Sequence, residues 1–290
     1  MAGKDRFRIV GKNMSTKDSN LVDRVLSLDK RIIYTLLLIL LVAPLLVAFN
    51  LPVPVTDMTR GAYNAVDALK PGDRVLCMFG LQPADLPEMG PQDQVILQHV
   101  LNKGAKAVIV DFMYTTGGTL QDTAIIPNLK GVKYGVNLVN IGWVPGIETA
   151  IARFQSDIWG VTTLDFYGHR FQDLPLMNEV HKVSDFQLIA FTGQPGWTLG
   201  ILIVPSHLPA IRGTWAVTVP DDIAYWKAGI YKGILAGSRG AAEYGNLIGV
   251  HTRANSMMDA ISTSSVFIIL LVILGNIGYV MQRRRKEVKK

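Results

Sequence analysis

The residues through which this 290-residue chain could do chemistry are five histidines, one cysteine, and carboxylates and amides at the ends of apolar runs. His99, His169, His181, His207 and His251 are scattered, no HExxH pair occurs, and Cys77 stands alone. That spacing offers no metal site, and no cofactor is expected. A GxSxG nucleophile elbow is missing as well. Asp111-Phe-Met-Tyr-Thr-Thr-Gly117-Gly118 follows an apolar run and ends in a glycine pair of the kind that forms oxyanion loops, but no serine and base can be placed beside it. Neither GxxxxGK[ST] nor a post-strand GxGxxG is present. Thr192-Gly193-Gln194-Pro195-Gly196 puts a proline where a phosphate would need a backbone donor, and reads as a turn. No catalytic residue is assigned on this basis.

What remains is position. In open parallel sheets, ligands bind beyond the carboxyl ends of strands, near the point where strand order reverses. Polar residues expected at such ends are Asp111, Thr115, Asn137, Asn140, Asp165 and Thr192, and these form the candidate ligand-binding set. Each also reads as a cap or turn residue. Asp221, ahead of Ile223-Ala224-Tyr225-Trp226, reads as a helix N-cap. His169, in the loop Tyr167-Gly168-His169-Arg170, is the histidine placed best for function, and Trp143, Trp197 and Trp226 line a crevice or fill the core.

The elements that would carry these residues alternate. Helices are expected over 56–69, 92–102 and 147–155, and a proline-rich loop runs up to Pro91. Apolar strands are expected over 74–79, 107–110, 132–139, 186–191 and 215–219, while 198–204 fits a strand or a buried helix equally. Strands that are apolar on both faces and separated by helices predict a three-layer α/β domain with a mainly parallel sheet. Cys77 falls in one of these strands and excludes an intrachain disulfide.

Two apolar runs flank this domain. Residues 32–50 follow Lys30-Arg31, and residues 262–281 precede Arg283-Arg284-Arg285-Lys286. About twenty helical residues cross a hydrocarbon core of roughly 30 Å. The sequence therefore predicts one transmembrane helix at each end of residues 51–261, the first an uncleaved signal anchor containing Pro44. Residues 1–31 hold eight Lys/Arg and four Asp/Glu, and 282–290 hold six and one, leaving 15 basic and 18 acidic residues between them. The net charge of +6 thus belongs to the tails. Basic flanks stay cytoplasmic, so tails 1–31 and 282–290 are placed inside a cell membrane and the central domain outside. The basic tails serve lipid headgroups; nucleic acid is not an expected partner.

From Gly229 onward every fourth residue is small: Gly229, Gly233, Gly237, Ala241, Gly245 and Gly249. On one helix they would form a ridge without side chains, a candidate interface for a second subunit or a closely packed internal face.

The segments Tyr134-Gly-Val-Asn137-Leu-Val-Asn140-Ile-Gly-Trp-Val-Pro-Gly146, Asp173-Leu-Pro-Leu-Met177, Leu188-Ile-Ala-Phe-Thr-Gly193 and Ser238-Arg-Gly-Ala-Ala-Glu-Tyr244 resemble a group of prokaryotic membrane-anchored proteins. The resemblance covers roughly residues 70–250. It implies terminal spans around an α/β domain and brings no activity, cofactor or catalytic residue. The functional expectation is a membrane-anchored assembly subunit whose outer domain oligomerises or docks other envelope proteins. The alternative is a tethered module that binds a small ligand; an enzyme at the membrane surface ranks below both.

Overall fold

The computed structural model describes residues 29–49, 51–194 and 196–288, so most of the first basic tail, Asn50, Pro195 and the last two lysines lie outside it. The chain divides into Ala48–Asp259 and a helical unit made from the segments up to Val47 and from Ala260.

The larger unit is an α/β domain around one parallel sheet. Its strands are β1 (Arg74–Phe79), β2 (Lys106–Asp111), β3 (Leu138–Trp143), β4 (Leu188–Thr192), β5 (Ala210–Thr214) and β6 (Tyr231–Ala236). They lie in the order β3-β2-β1-β4-β5-β6. β1 is central, with Leu76 opposite Val108 of β2 on one side and Ile189 of β4 on the other. The order reverses between β1 and β4, which makes their carboxyl ends the topological switch point.

Helices cover both faces. One face packs under Asp57–Asp67, Leu86–Asn102 and Gly237–Ile248 through Ala62, Val66, Met89, Ile96 and Tyr244. The opposite face packs under Ile147–Ser156 through Ile151 and Phe154, and under the π-helical turn Leu199–Ile203. Strand side chains alternate between these two cores, so the strand interiors are apolar on both faces in β1, β2 and β4.

Several boundaries differ from the sequence expectation for identifiable reasons. The expected strand over 132–139 begins only at Leu138, because Gly131 and Gly135, both at positive φ, fold the preceding residues into turns. Residues 215–219 are not a strand: β5 lies just upstream, where Arg212 and Gly213 disguise it. Arg212 is buried against Asp222 at 3.4 Å and over the Phe191 ring. Asp221 sits in the first turn of Val219–Lys227, with Thr218 as N-cap. The helix expected from residue 92 already begins at Leu86; Pro87 occupies the first turn and Pro91 is accommodated inside it.

The small-residue series is the largest correction. It is not one helical ridge but a turn, strand β6, and the helix Gly237–Ile248, which begins at Gly237 with φ 57°. A Cβ on Gly233 would stand 1.9 Å from Ala62 N in the helix Asp57–Asp67. One on Gly245 would stand 2.4 Å from Val250 O. Gly249 closes the helix in the left-handed conformation, as a C-terminal glycine does. The four-residue repeat arises from a strand and a helix that each approach other backbone of the same domain.

Buried polar ties join these layers. Glu243, 1 % exposed, accepts from both the amide and the hydroxyl of Thr56 and from Arg239, fixing the start of Asp57–Asp67 against Gly237–Ile248. His99 Nδ1 meets the Tyr244 hydroxyl at 2.8 Å and stacks on Tyr63, and burial lowers the His99 pKa. Asp259 accepts from Phe49 N and Leu51 N, clipping together the two ends of the domain.

In the helical unit, Lys30–Leu46 runs 17 residues, about 26 Å at 1.5 Å per residue. It is shorter than the span expected over 32–50, because the chain becomes extended at Val47, just beyond Pro44. Pro44 lacks the N–H that would bond Leu40 O, and the Thr263 hydroxyl donates to that carbonyl instead. Among the described residues one helix, Arg253–Val288, contains a segment long and apolar enough to cross a membrane.

Gly233→Ala should destabilise the purified protein by about 2 kcal/mol or more, the cost of overpacking against fixed backbone. Gly200→Ala, in open space on the surface, should be neutral within about 1 kcal/mol. Thermal or denaturant unfolding monitored by tryptophan fluorescence measures both. Equal stability of the two variants would mean that Gly233 does not meet the helix.

Candidate functional site

Three strands end on polar side chains instead of apolar ones. On the face covered by Leu86–Asn102, Asp111 ends β2 and Thr192 ends β4, and the helix itself contributes Gln92 and Asp93. Asp93 is fully buried. Its Oδ1 accepts from the Thr192 hydroxyl at 2.5 Å and its Oδ2 from Gln121 Nε2 at 2.7 Å. Burial pushes its pKa up to about 8; the two hydrogen bonds oppose this, and nearby Asp111 adds to it. At neutral pH the group is therefore a neutral acid.

Asp111 is 2 % exposed and accepts from three backbone amides, Leu81, Met113 and Tyr114, between 2.7 and 3.1 Å. Burial raises it to about 6 against those bonds. Gly117 must be glycine here, because a Cβ would fall 1.9 Å from Asp111 Oδ2. The loop after β2 thus folds tightly over the carboxylate.

Between β1 and β4 the backbones continue in contact past the strand ends. Gly80 N donates to Thr192 O at 2.9 Å, and a Cβ on Gly193, which has φ 60°, would come within 1.8 Å of Gly80 O. Directly beside this contact lies Gln194, fully buried. Its amide is near enough to Asp111 to favour the charged carboxylate through a hydrogen-bond interaction, yet among the described residues neither Oε1 nor Nε2 reaches full hydrogen-bond geometry. The hydroxyl of Thr198, also fully buried, is unpartnered too. An unsatisfied buried polar group costs roughly 1–3 kcal/mol, so each calls for an explanation.

A second cluster adjoins the first through residues 117–125. Asn140 in β3 donates to Gly118 O, and its Oδ1 accepts from Gly142 N. The Tyr134 hydroxyl bridges Asn140 O to Asp165 Oδ2, which also faces His169 Nδ1 at 3.0 Å. The Asp165 side chain is fully covered and the His169 ring is 56 % exposed, so the carboxylate orients an imidazole that faces solvent. Tyr134 and Tyr167 stack edge to face beside it, and Tyr167 bonds Asp122. The π-helical turn Gln121–Ile125 serves both clusters: Gln121 holds Asp93 and Asp122 holds Tyr167. Such turns recur at functional sites because they re-aim adjacent side chains.

Of the six residues expected from sequence, Asp111 and Thr192 lie at the switch point, and Asn140 and Asp165 lie in the adjoining cluster. Thr115 is exposed on the loop above Asp111. Asn137 is elsewhere: it precedes β3 at its amino end, closing the 131–137 turn through Lys133 N and Gly131 O. Asp165 follows the helical turn Ile158–Val161 and an isolated bridge, not a strand. Sequence reasoning missed Asp93, Gln121, Gln194 and Thr198. A carboxylate inside the apolar stretch of an amphipathic helix was the available signal for Asp93. Trp143 is largely exposed, while Trp197 and Trp226 pack against the core. Among the described residues, no group of three or more His, Cys, Asp or Glu side chains is arranged to hold a metal.

No family model, curated protein or solved structure matches the chain. The class is therefore defined by architecture alone: a doubly wound parallel α/β domain in a chain with an apolar, membrane-length helix.

Asp93→Asn tests the buried acid. The folded pKa is raised, so the folded state holds more protons than the unfolded chain between about pH 4 and about 8. Stability conferred by the neutral acid is therefore complete below about pH 4 and is lost as pH rises towards 8, by at most about 1.4 kcal/mol per pH unit. Asparagine can keep both hydrogen bonds without titrating. The variant should flatten this slope and exceed the parent in stability at pH 8.5, as read from denaturant midpoints across pH. An unchanged slope would show that another group causes it.

Proposed function

We propose that this protein is a membrane-tethered binding module whose α/β domain takes a small polar ligand at the carboxyl ends of β1, β2 and β4. The observation that carries this reading is the Gln194 amide, buried at the switch point beside Asp111, with neither polar atom in a well-formed hydrogen bond among the described residues. A carboxamide presents one acceptor and two donors side by side. Its complement is a ligand edge with an adjacent donor and acceptor: an amide, a carboxylic acid or a heterocyclic base. Thr198 offers a further hydroxyl. The loop 113–117, folded over Asp111, would part to admit the ligand.

Assembly of copies is the second reading. It loses most of the support that the glycine series lent it, since Gly233, Gly237 and Gly245 meet their own domain. Of that series, Gly229 and Gly249 remain in open space.

The tether in this proposal comprises two spans, built on Lys30–Leu46 and on the apolar part of Arg253–Val288, in a cell membrane. Both termini are cytoplasmic and the central domain extracytoplasmic. The exposed apolar side chains of both helices and the Lys/Arg excess of the tails support it.

Gln194→Leu separates a binding residue from a packing residue. If Gln194 is held in reserve for a ligand, the leucine variant should be more stable than the parent by about 1 kcal/mol, because an unpaired amide is removed. It should also lose the thermal shift given by any hit from a screen of amides, carboxylic acids and nucleobases on the full-length protein. A destabilised variant that keeps the shift would sink the assignment.

For topology, cysteines introduced at Ser15 and at Thr218 report sidedness, since native Cys77 is buried and silent. A membrane-impermeant maleimide should label Thr218→Cys in intact cells and Ser15→Cys only after lysis. The reverse pattern would invert the topology.

A further inference from the structure

A cavity of 460 Å³ opens on the domain between the helix Leu86–Asn102, the turns around Thr123–Asn128 and the start of Arg253–Val288. It is distinct from the switch-point cluster: none of Asp93, Asp111, Gln194 or Thr198 lines it. Its size is in the range of small-molecule sites.

The chemistry of its wall is one-sided. Gln94, Asn128, His251 and Arg253 face it, and no aspartate or glutamate does. Arg253 makes no ion pair and no side-chain hydrogen bond among the described residues, and neither does His251. Several other basic residues of the domain are paired: Arg74 and Lys106 share Glu179, Lys103 takes Asp67, and Arg212 takes Asp222. A guanidinium without a carboxylate, on the wall of a concave site with two amides and an imidazole, fits an oxyanion that accepts several hydrogen bonds. Thr123 and Thr252 also line it, and Leu86, Pro91, Ala124 and Ile125 supply apolar surface. A bare anion would leave that surface unused.

We propose that this cavity binds a phosphate monoester, its oxygens on Arg253, His251 and the amides of Gln94 and Asn128, and an apolar substituent over Leu86 and Ile125. The phosphate belongs either to a soluble metabolite or to a lipid headgroup, and the two sources share this recognition chemistry.

The test uses the full-length protein in a non-ionic detergent, with calorimetric titration of inorganic phosphate, glycerol 3-phosphate and dihexanoyl phosphatidic acid. Arg253→Gln should weaken every probe that binds by at least tenfold. Thr123→Trp, an exposed rim position turned into a plug, should block glycerol 3-phosphate and the lipid whether or not the arginine variant folds well. Tighter binding of the lipid than of glycerol 3-phosphate assigns the site to a headgroup, and equal binding assigns it to a soluble ester. Binding of none of the three probes overturns the proposal, as does binding that both variants leave unchanged. Neither result bears on Gln194, because no residue is shared with that site.

Discussion

A neutral carboxylic acid at the middle of the sheet's carboxyl edge is the constraint on which the rest of this domain depends. Asp93 lies where a helix, a strand and a connecting segment meet, and its two oxygens fasten Thr192 of β4 and Gln121 of the 117–128 connection to its own helix. Ionising it in that environment is costly, so burial keeps the proton on. As a neutral acid it fixes β4 relative to β1 and β2, and so fixes where Gly193 and Gln194 emerge. Asp111 takes the opposite solution a few ångströms of backbone away: three amides compensate its burial and leave it much nearer the ordinary carboxylate range. Burial, hydrogen bonding and the effect of Asp111 on Asp93 thus push the two carboxyl groups of one sheet edge apart.

Close backbone approach is the second recurring device. Gly80 against Gly193 draws β1 and β4 together beyond their last pair, Gly61 and Gly233 let a helix lie directly on β6, and Gly117 wraps a loop around Asp111. Each contact excludes a Cβ, so each dictates glycine on steric grounds. In the helical unit the substitution of partners takes another form: the carbonyl freed by Pro44 is capped by a threonine of the neighbouring helix. The alternative would be an orphaned carbonyl.

Much of the scaffold was legible because hydrophobic periodicity reports burial. Arg74–Phe79 is a continuous apolar run and is a strand with those boundaries, and the doubly covered parallel sheet follows from several such runs. Legibility failed where burial is achieved by pairing. β5 contains Arg212, whose charge is met by Asp222, and a run read residue by residue cannot show that. The repeat from Gly229 to Gly249 failed for a different reason: a period of four is helical only if the chain is helical throughout, and positive φ at Gly237 breaks it into a strand and a helix.

The sequence by itself determined the layered α/β class, the exclusion of an intrachain disulfide, the basic tails and an apolar C-terminal segment of membrane length. These are properties of composition and local pattern, and they need no knowledge of what touches what. Tertiary structure alone decided that Asp93 meets Thr192 across 99 positions, that Asn137 closes a turn ahead of β3 while Asn140 lies within it, and that Gln194 is left without a well-formed hydrogen bond. Side-chain protonation and hydrogen-bond satisfaction depend on distances of a few ångströms between residues remote in the chain. Only the closed sheet sets those distances.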